Sequence, residues 1–453
     1  MKAAHAVELP VAIVGAGFSG TLLAVNLMRL GVKVVLIERD ERQIAKGIAF
    51  GTRQPEHLLN VRAANMSAFP DDLGHFLRWM GFSAKEEASR FVSRLAYGHY
   101  LRELLLNAMA ATPDRAQIHQ GEAVAATFAD DAIAVLLRGG RTVACRSLVL
   151  ALGNFPPSPL PLLAGLPTDS YFPDPWSSTA TQGVDSLEHV VLLGSGLTAS
   201  DVIVSLHGAS FSGRITALSR RGLQPRAHAD VGPVVSPPSR PEARGSWLLR
   251  QVRERAANVG WRAAIDELRP HTQHLWRGHD EPAQRRFLRH LRPYWDVHRH
   301  RLAPSVAGQI DEFKQSGRLE FVAGKLLGAR PHGTRVLLDW RPRGEGEARI
   351  MMADRVINCT GPEGALARAD HPLLRDLVRQ GRLRADPHQL GLDVDRSGRA
   401  FDSAGVPQDR LFAVGPITKG EAWEIVAVPD IRRQVWDLAR YLGNAHWVGG
   451  EGL

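Results

Sequence analysis

Two cysteines occur in 453 residues, Cys145 and Cys359, far apart and with no C-x-x-C. That scarcity excludes a disulfide framework, a thiol–disulfide active site and a zinc ribbon. No apolar run approaches the roughly 20 residues that cross a bilayer. The opening stretch "MKAAHAVELP" has no apolar h-region, so no secretory signal is expected. A soluble, cytoplasmic chain with no membrane partner is the default. Aromatic residues make up 7% and do not interleave with basic ones, so no nucleic-acid stacking platform is expected despite a net charge of +9. The charge is uneven: Gly213 to Ile350 carries 26 Lys+Arg against 14 Asp+Glu, and the remainder 30 against 33. A basic middle domain suits an anionic small molecule through field focusing.

Metal ligation also lacks its ingredients. His298 and His300, with His290 nearby, have no Asp/Glu/Cys cluster around them in the sequence, so no metal site is expected. They read as core-edge or interdomain residues on an amphipathic helix over Gln284–Leu302, bent at Pro293, with proton handling near a nicotinamide as the other reading. Trp247, Trp261 and Trp276 read as packing residues. The proline-rich "VGPVVSPPSRPEARG" reads as a loop, or a lid.

What is present is an ordinary globular composition, 44% hydrophobic and 23% charged, in a chain long enough for two to three domains. Val11–Val14 is an apolar run of the kind a parallel strand buried on both faces requires. Gly15-Ala-Gly17-Phe-Ser19-Gly20 follows. The first glycine permits the tight turn, the second lets backbone approach a pyrophosphate, and the third lets the helix pack on the strand. The helix after it aims its N-terminal N–H groups at the phosphates. A second apolar strand, Val34–Ile37, ends at Glu38, placed to accept hydrogen bonds from the adenosine ribose.

The pattern recurs. Val190–Leu193 leads into Gly194-Ser-Gly196-Leu-Thr-Ala199 and another helix. The next strand, Ile215–Leu218, ends in Ser219-Arg220-Arg221 in place of an acid. A carboxylate there would repel a 2′-phosphate, whereas Ser and Arg would bind one. This half therefore suits a nicotinamide cofactor with a lean toward NADPH, and NADH stays open. A candidate β-meander follows each motif, Gln117–Arg146 with a hairpin turn at Gly139-Gly140, and Leu319–Arg349. Each leads to a strand closed by a glycine turn, at Gly153 and at Gly361. This internal repeat predicts an α/β fold: two Rossmann-like dinucleotide-binding domains with β-meander insertions.

These residues resemble the flavoproteins with two dinucleotide-binding domains, one for FAD and one for NAD(P)H. Glutathione-reductase-like enzymes, flavin-containing monooxygenases and N-hydroxylases share that plan. The resemblance implies crossings between domains at Ala151-Leu152-Gly153 and Cys359-Thr360-Gly361. It implies an FAD-binding domain over 1–158 and 360–453, with an NAD(P)H-binding domain and helical insertion over 159–359. That family pattern also has a late strand ending in Gly-Asp. Here Leu411–Val414 is followed by Gly415-Pro416, so the acid is missing. Gly415 and the region Val426–Ile431 are then expected to approach the flavin with backbone donors, or to form a simple helix cap.

"GIAFGTRQPEHLLNVRAANMSAFPD", "YGHYL" and "RFLRHLRPYWDVHRHR" resemble a group of bacterial FAD/NAD(P)-binding proteins, and most closely the FAD-dependent urate hydroxylases. The resemblance implies an FAD- and NAD(P)H-dependent monooxygenase that uses O₂. A flavin C4a-hydroperoxide would hydroxylate a small nitrogenous heterocycle, urate to 5-hydroxyisourate in purine degradation. A flavin-dependent reductase passing electrons to a partner, an N-hydroxylase, and a non-catalytic nucleotide-binding scaffold are the alternatives. Asn60, Arg62 and Asn65 are the substrate-facing candidates, with a plain polar loop as the other reading. Flavin-containing monooxygenases carry a His before a Trp between the domains. Trp176 is present here and the His is not, which bars detailed transfer from that branch. The partners expected are a small-molecule substrate and O₂, with a homo-oligomer left open.

Overall fold

The computed structural model describes residues 8–229, 240–242 and 244–444. Residues 230–239 and 243, most of the proline-rich stretch, lie outside the described residues. The chain divides into two compact units. One comprises Met1–Arg53, Arg62–Phe155 and Gly364–Leu453, the other Gln54–Val61 and Pro156–Glu363. The short segment Gln54–Val61, which the sequence puts in the first domain, belongs to the second. Its buried His57 pairs through Nε2 with the Ser205 hydroxyl at 2.8 Å, on the helix Leu197–Gly208.

In the first unit, six strands lie in the order Arg399–Phe401, Pro407–Ala413, Ser147–Leu150, Val11–Val14, Val34–Glu38, Ala116–Gln120. All neighbours are parallel except the short edge strand Arg399–Phe401. The apolar runs Val11–Val14, Val34–Glu38 and Ser147–Leu150 are buried at every position, as strands covered on both faces must be. A separate three-stranded antiparallel sheet, Ala123–Phe128, Ile133–Leu137 and Thr142–Cys145, packs with helix Pro372–Arg379 onto one face of the main sheet. The first meander is therefore shorter than the expected Gln117–Arg146. Gln117–Gln120 pairs in parallel with Val35–Glu38, because an edge strand of a parallel sheet shows the same half-exposed alternation as a meander strand.

The second unit holds a seven-stranded sheet: Arg349–Ala353, Arg335–Pro342, Leu319–His332, Arg214–Ser219, His189–Leu193, Arg355–Asn358, Tyr171–Phe172. Here the meander is not a separate layer. Leu319–His332 runs parallel to Arg214–Ser219 in its first half, then bends at an irregularity between Leu326 and Gly328 while pairing antiparallel to Arg335–Pro342. Both units are thus α/β, with parallel sheets of Rossmann-like construction.

A helical insertion follows Arg214–Ser219. Its helices are Gly245–Val259, Trp261–Leu268, Thr272–Arg277 and Glu281–Arg286, the last continuing through a π-turn at Phe287–Leu291 into Arg292–Arg299. The bend expected at Pro293 is that π-turn, because proline supplies no N–H to the ladder behind it. Trp276 is buried as expected, whereas Trp247 is 65% exposed and lies under the Arg250 guanidinium. Trp247 is therefore no core residue, since its helix buries none of its side chains.

The insertion is pinned by Arg301, whose side chain is 1% exposed. Its guanidinium donates to both Asp266 carboxylate oxygens at 3.0 and 2.8 Å, its Nε–H to the His298 carbonyl, and its plane lies 5.1 Å from the Trp261 ring. Removing one partner of so buried a pair leaves the other unpaired. Arg301→Ala is expected to cost about 3 kcal/mol, read as a lower denaturant midpoint with FAD content unchanged.

Candidate functional site

The first cradle is built by steric necessity at two of its three glycines. Gly15 has φ +98°, and a Cβ there would sit 2.9 Å from the Ala151 carbonyl carbon and overlap its oxygen. A Cβ at Gly20 would overlap the Gly15 carbonyl, so the helix Phe18–Arg29 can close on the strand only with glycine there. Gly17 differs. A Cβ there meets only Gly47, at 3.4 Å, so packing alone tolerates a side chain. Gly17 caps a helix with no side-chain cap, leaving its first N–H groups for an anion. Gly153, at φ +68°, is likewise open: a Cβ there would meet no atom within 4 Å. Space at these positions, bordered by free helix donors, fits the pyrophosphate of FAD.

Glu38 is buried and braces this loop. One carboxylate oxygen accepts the Ala16 N–H at 2.8 Å, the other the Asp40 N–H at 3.1 Å. Each oxygen retains a lone pair that a ribose hydroxyl could engage. The strand ends bearing Gly15, Ala151–Gly153 and Gly415 adjoin in the sheet where the chain reverses its order of winding. That is where open α/β sheets bind ligands. Gly415, at φ +79°, lies so close to Ser19 that a Cβ would overlap the Ser19 hydroxyl. No acid follows it. Instead its N–H donates to Gln434 Oε1 at 2.7 Å, while Gln434 Nε2 donates to Thr418 Oγ1. The helix Val428–Leu442 begins after Ala427, again without a side-chain cap.

The second cradle repeats the first contact. Gly194 has φ +120°, and a Cβ would sit 2.6 Å from the Cys359 carbonyl carbon. Gly196 has open space and caps the helix Leu197–Gly208 without a side-chain bond. Ala199 is fully buried beneath it, and Gly361, at φ +96°, is open. Among the described residues no carboxylate hydrogen bond braces this loop. The Ser195 hydroxyl donates to the Leu223 carbonyl at 2.5 Å and lies 2.8 Å from Ser219 Oγ, which accepts the Gly222 N–H at 3.0 Å. Of the two arginines, Arg220 is exposed. Arg221 is tied down, donating to the Arg289 carbonyl at 3.4 Å with its guanidinium 5.7 Å from the Tyr294 ring.

The structure separates the three substrate candidates. Asn60 belongs to the second unit, where its carbonyl pairs with His228 Nε2 at 3.1 Å. Arg62 and Asn65 belong to the first. Arg62 donates to the Ser89 carbonyl at 2.7 Å and lies over the Phe91 ring. Asn65 is exposed at the end of a 3₁₀ turn, Ala63–Asn65. Sequence reading missed Arg432, half-buried on the helix Val428–Leu442, whose guanidinium donates to the Asn65 and Ser67 carbonyls. The only signal for it is its place in the run after Gly415. Both thiols are buried, and burial pushes Cys145 up to about 12 and raises Cys359 further above the ordinary thiol range.

Residues 12–155 match a family model described as FAD-NAD(P)-binding, which supports FAD and a nicotinamide dinucleotide as the cofactors. No curated protein matches the chain. Among solved structures, the fold resembles Kutzneria sp. 744 ornithine N-hydroxylase, at TM-score 0.63 and 15% identity over 97% of this chain and 99% of that one. It resembles L-lysine 6-monooxygenase from Pseudomonas syringae, at 0.62 and 16% over 97% and 100%. It also resembles T. acidophilum thioredoxin reductase, at 0.54 and 12% over 97% and 98%.

The steric difference between the glycines yields a test. Gly17→Val is expected to leave helical content and unfolding midpoint near wild type while abolishing bound FAD, read as absorbance near 450 nm in the purified protein. A folded variant with full flavin content would refute the first cradle as the FAD site.

Proposed function

We propose that the chain is an FAD- and NAD(P)H-dependent monooxygenase acting on a small molecule with a basic nitrogen. One observation carries the reading. Two glycine cradles of one design occur in a chain whose only two thiols are buried and protonated. The plan is shared by thioredoxin reductases and N-hydroxylases, so the cradles alone do not choose a reaction. Disulfide reduction needs an accessible thiolate. Burial denies one to Cys145 and Cys359, which favours the oxygen-using reading.

The urate expectation draws support from none of the comparisons. The oxygen-using enzymes among them act on ornithine and lysine, so the N-hydroxylase alternative is the better supported. The Kutzneria structure contains reduced FAD, NADP⁺ and L-ornithine together, the three components this reading requires of one fold.

When bound, FAD supplies acceptance of hydride from the nicotinamide and transfer of oxygen from O₂ to the substrate. The chain's own residues do the rest. The uncapped start of Phe18–Arg29 holds the pyrophosphate, and Glu38 fixes the loop and meets the ribose. The uncapped start of Leu197–Gly208 holds the nicotinamide dinucleotide's phosphates, with Arg220 on a 2′-phosphate. Arg62 is engaged by Ser89 and Phe91, which makes it a scaffold for its loop and leaves Asn65 as the stronger substrate-facing candidate.

The reading is tested by oxygen uptake and NADPH oxidation across ornithine, lysine, short diamines and urate, with product analysis for hydroxylamines. An amine is expected to accelerate both in equal amounts. Acceleration by an added electron acceptor alone, without oxygen uptake, would replace this function with the reductase. Arg220→Ala is expected to weaken NADPH roughly tenfold with NADH little changed, and Arg221→Ala to do less, because only Arg220 projects freely. Steady-state KM values for both coenzymes measure it.

A further inference from the structure

A run of aromatic rings leads from the first cradle to the surface. Phe18, the first residue of the cradle helix, has its ring 6.2 Å from Tyr97 and 5.4 Å from Phe50, which itself lies 4.7 Å from Tyr97. Tyr100 follows at 5.5 Å from Tyr97, and Trp79 at 5.4 Å from Tyr100. Tyr97 and Tyr100 are fully buried and Trp79 is half-buried.

Packing explains the rings but not how their acidic protons are placed. Tyr100 Oη accepts the Ala68 N–H at 3.2 Å and pairs with His75 Nδ1 at 2.9 Å, where the Nε2–H tautomer of the imidazole accepts the phenolic proton. Burial lowers the pKa of His75 and favours the neutral ring, whose Nε2–H tautomer leaves Nδ1 as the acceptor. Trp79 Nε1–H donates to Glu103 Oε2 at 2.8 Å, at the exposed end of the run. Each of these two oxidisable rings therefore has a base on the proton it must lose on oxidation. Among the described residues the buried Tyr97 hydroxyl has no hydrogen-bond partner, so charge cannot rest on it and it serves as a bridging ring.

We propose that Tyr100, paired with His75, and Trp79, paired with Glu103, form a relay that carries oxidising equivalents from the first cradle to the surface. The triggering species is a one-electron oxidant, such as an oxygen radical escaping uncoupled turnover or photo-excited flavin. It takes one electron from Tyr100, whose phenolic proton moves to His75 Nδ1. Trp79 returns one electron to Tyr100 and the proton moves back from His75. The Trp79 N–H proton passes to Glu103, and the resulting neutral indolyl radical takes one electron from a soluble thiolate and recovers its proton from Glu103. Only the source of the oxidant rests on the flavin reading.

The test runs the relay from its outer end. In the full chain as purified, Tyr171, Tyr294 and Tyr441 are replaced by Phe, leaving Tyr97 and Tyr100 of the five tyrosines. Flash-generated ruthenium(III) tris-bipyridine, too large to reach a buried ring, serves as oxidant, and electron paramagnetic resonance reads the radical. A neutral tyrosyl signal is expected. It should vanish in Tyr100→Phe, fall severalfold in Trp79→Phe and fall in His75→Gln, with each variant shown folded by circular dichroism. Absence of a tyrosyl signal, or a signal indifferent to Trp79→Phe, overturns the relay. Flavin content does not enter the readout, so failure here and failure of the monooxygenase reading are separate results.

Discussion

The contact on which both cradles depend is a glycine pressed against the carbonyl of a neighbouring strand end. Gly15 meets Ala151 in one unit and Gly194 meets Cys359 in the other, each at positive φ and with no room for a methyl group. The consequence is directional. With the turn pulled against the next strand, the following helix starts directly above the sheet, and its uncapped N–H groups converge where two strand ends part. Any side chain at either glycine would push the turn outward and turn those donors away. The uncapped helix start is thus a by-product of a packing constraint, which is why it recurs in two units of different detail.

Those details divide the labour. The first loop is braced by a buried carboxylate, Glu38, on the Ala16 and Asp40 N–H groups. The second is braced by neutral hydroxyls, Ser195 on Ser219, with an exposed arginine just beyond. A carboxylate at the end of the second strand favours a ribose with both hydroxyls free. A hydroxyl followed by Arg220 leaves a place for an additional phosphate charge. The chain's excess positive charge falls in the stretch Gly213–Ile350, on the same side of this division as Arg220.

How much of this is legible in the sequence follows from how local each feature is. The glycine turns, the buried strands and the strand-end Glu38 are written within some thirty consecutive residues, where apolar runs and glycine spacing have one reading. Gln117–Gln120 reads as a meander strand because half-exposed alternation does not distinguish it from a parallel edge strand. Trp247 reads as a packing residue because composition carries no information on which helix faces are covered. The place of Arg62 depends on Ser89 and Phe91, residues on a separate loop, so no spacing rule could supply it. The run of aromatic rings draws on four separated segments, around Phe18, Phe50, Trp79 and Tyr97, and only the fold assembles it.

The same locality bears on reaction type. A fold shared with disulfide reductases and amine hydroxylases does not by itself choose a reaction. That choice rests on what else the chain brings near the cradles. Cys145 and Cys359 are held as buried thiols, which removes the thiolate an exchange reaction needs. In their place the first unit offers a phenol paired with His75 and an indole N–H donated to Glu103, groups that exchange single electrons without forming a covalent bond. A chain that handles oxygen has use for such groups, because single-electron leakage accompanies oxygen reduction and must be drained before it damages the protein. What the chain withholds, an accessible thiolate, is therefore what bears on the reaction class.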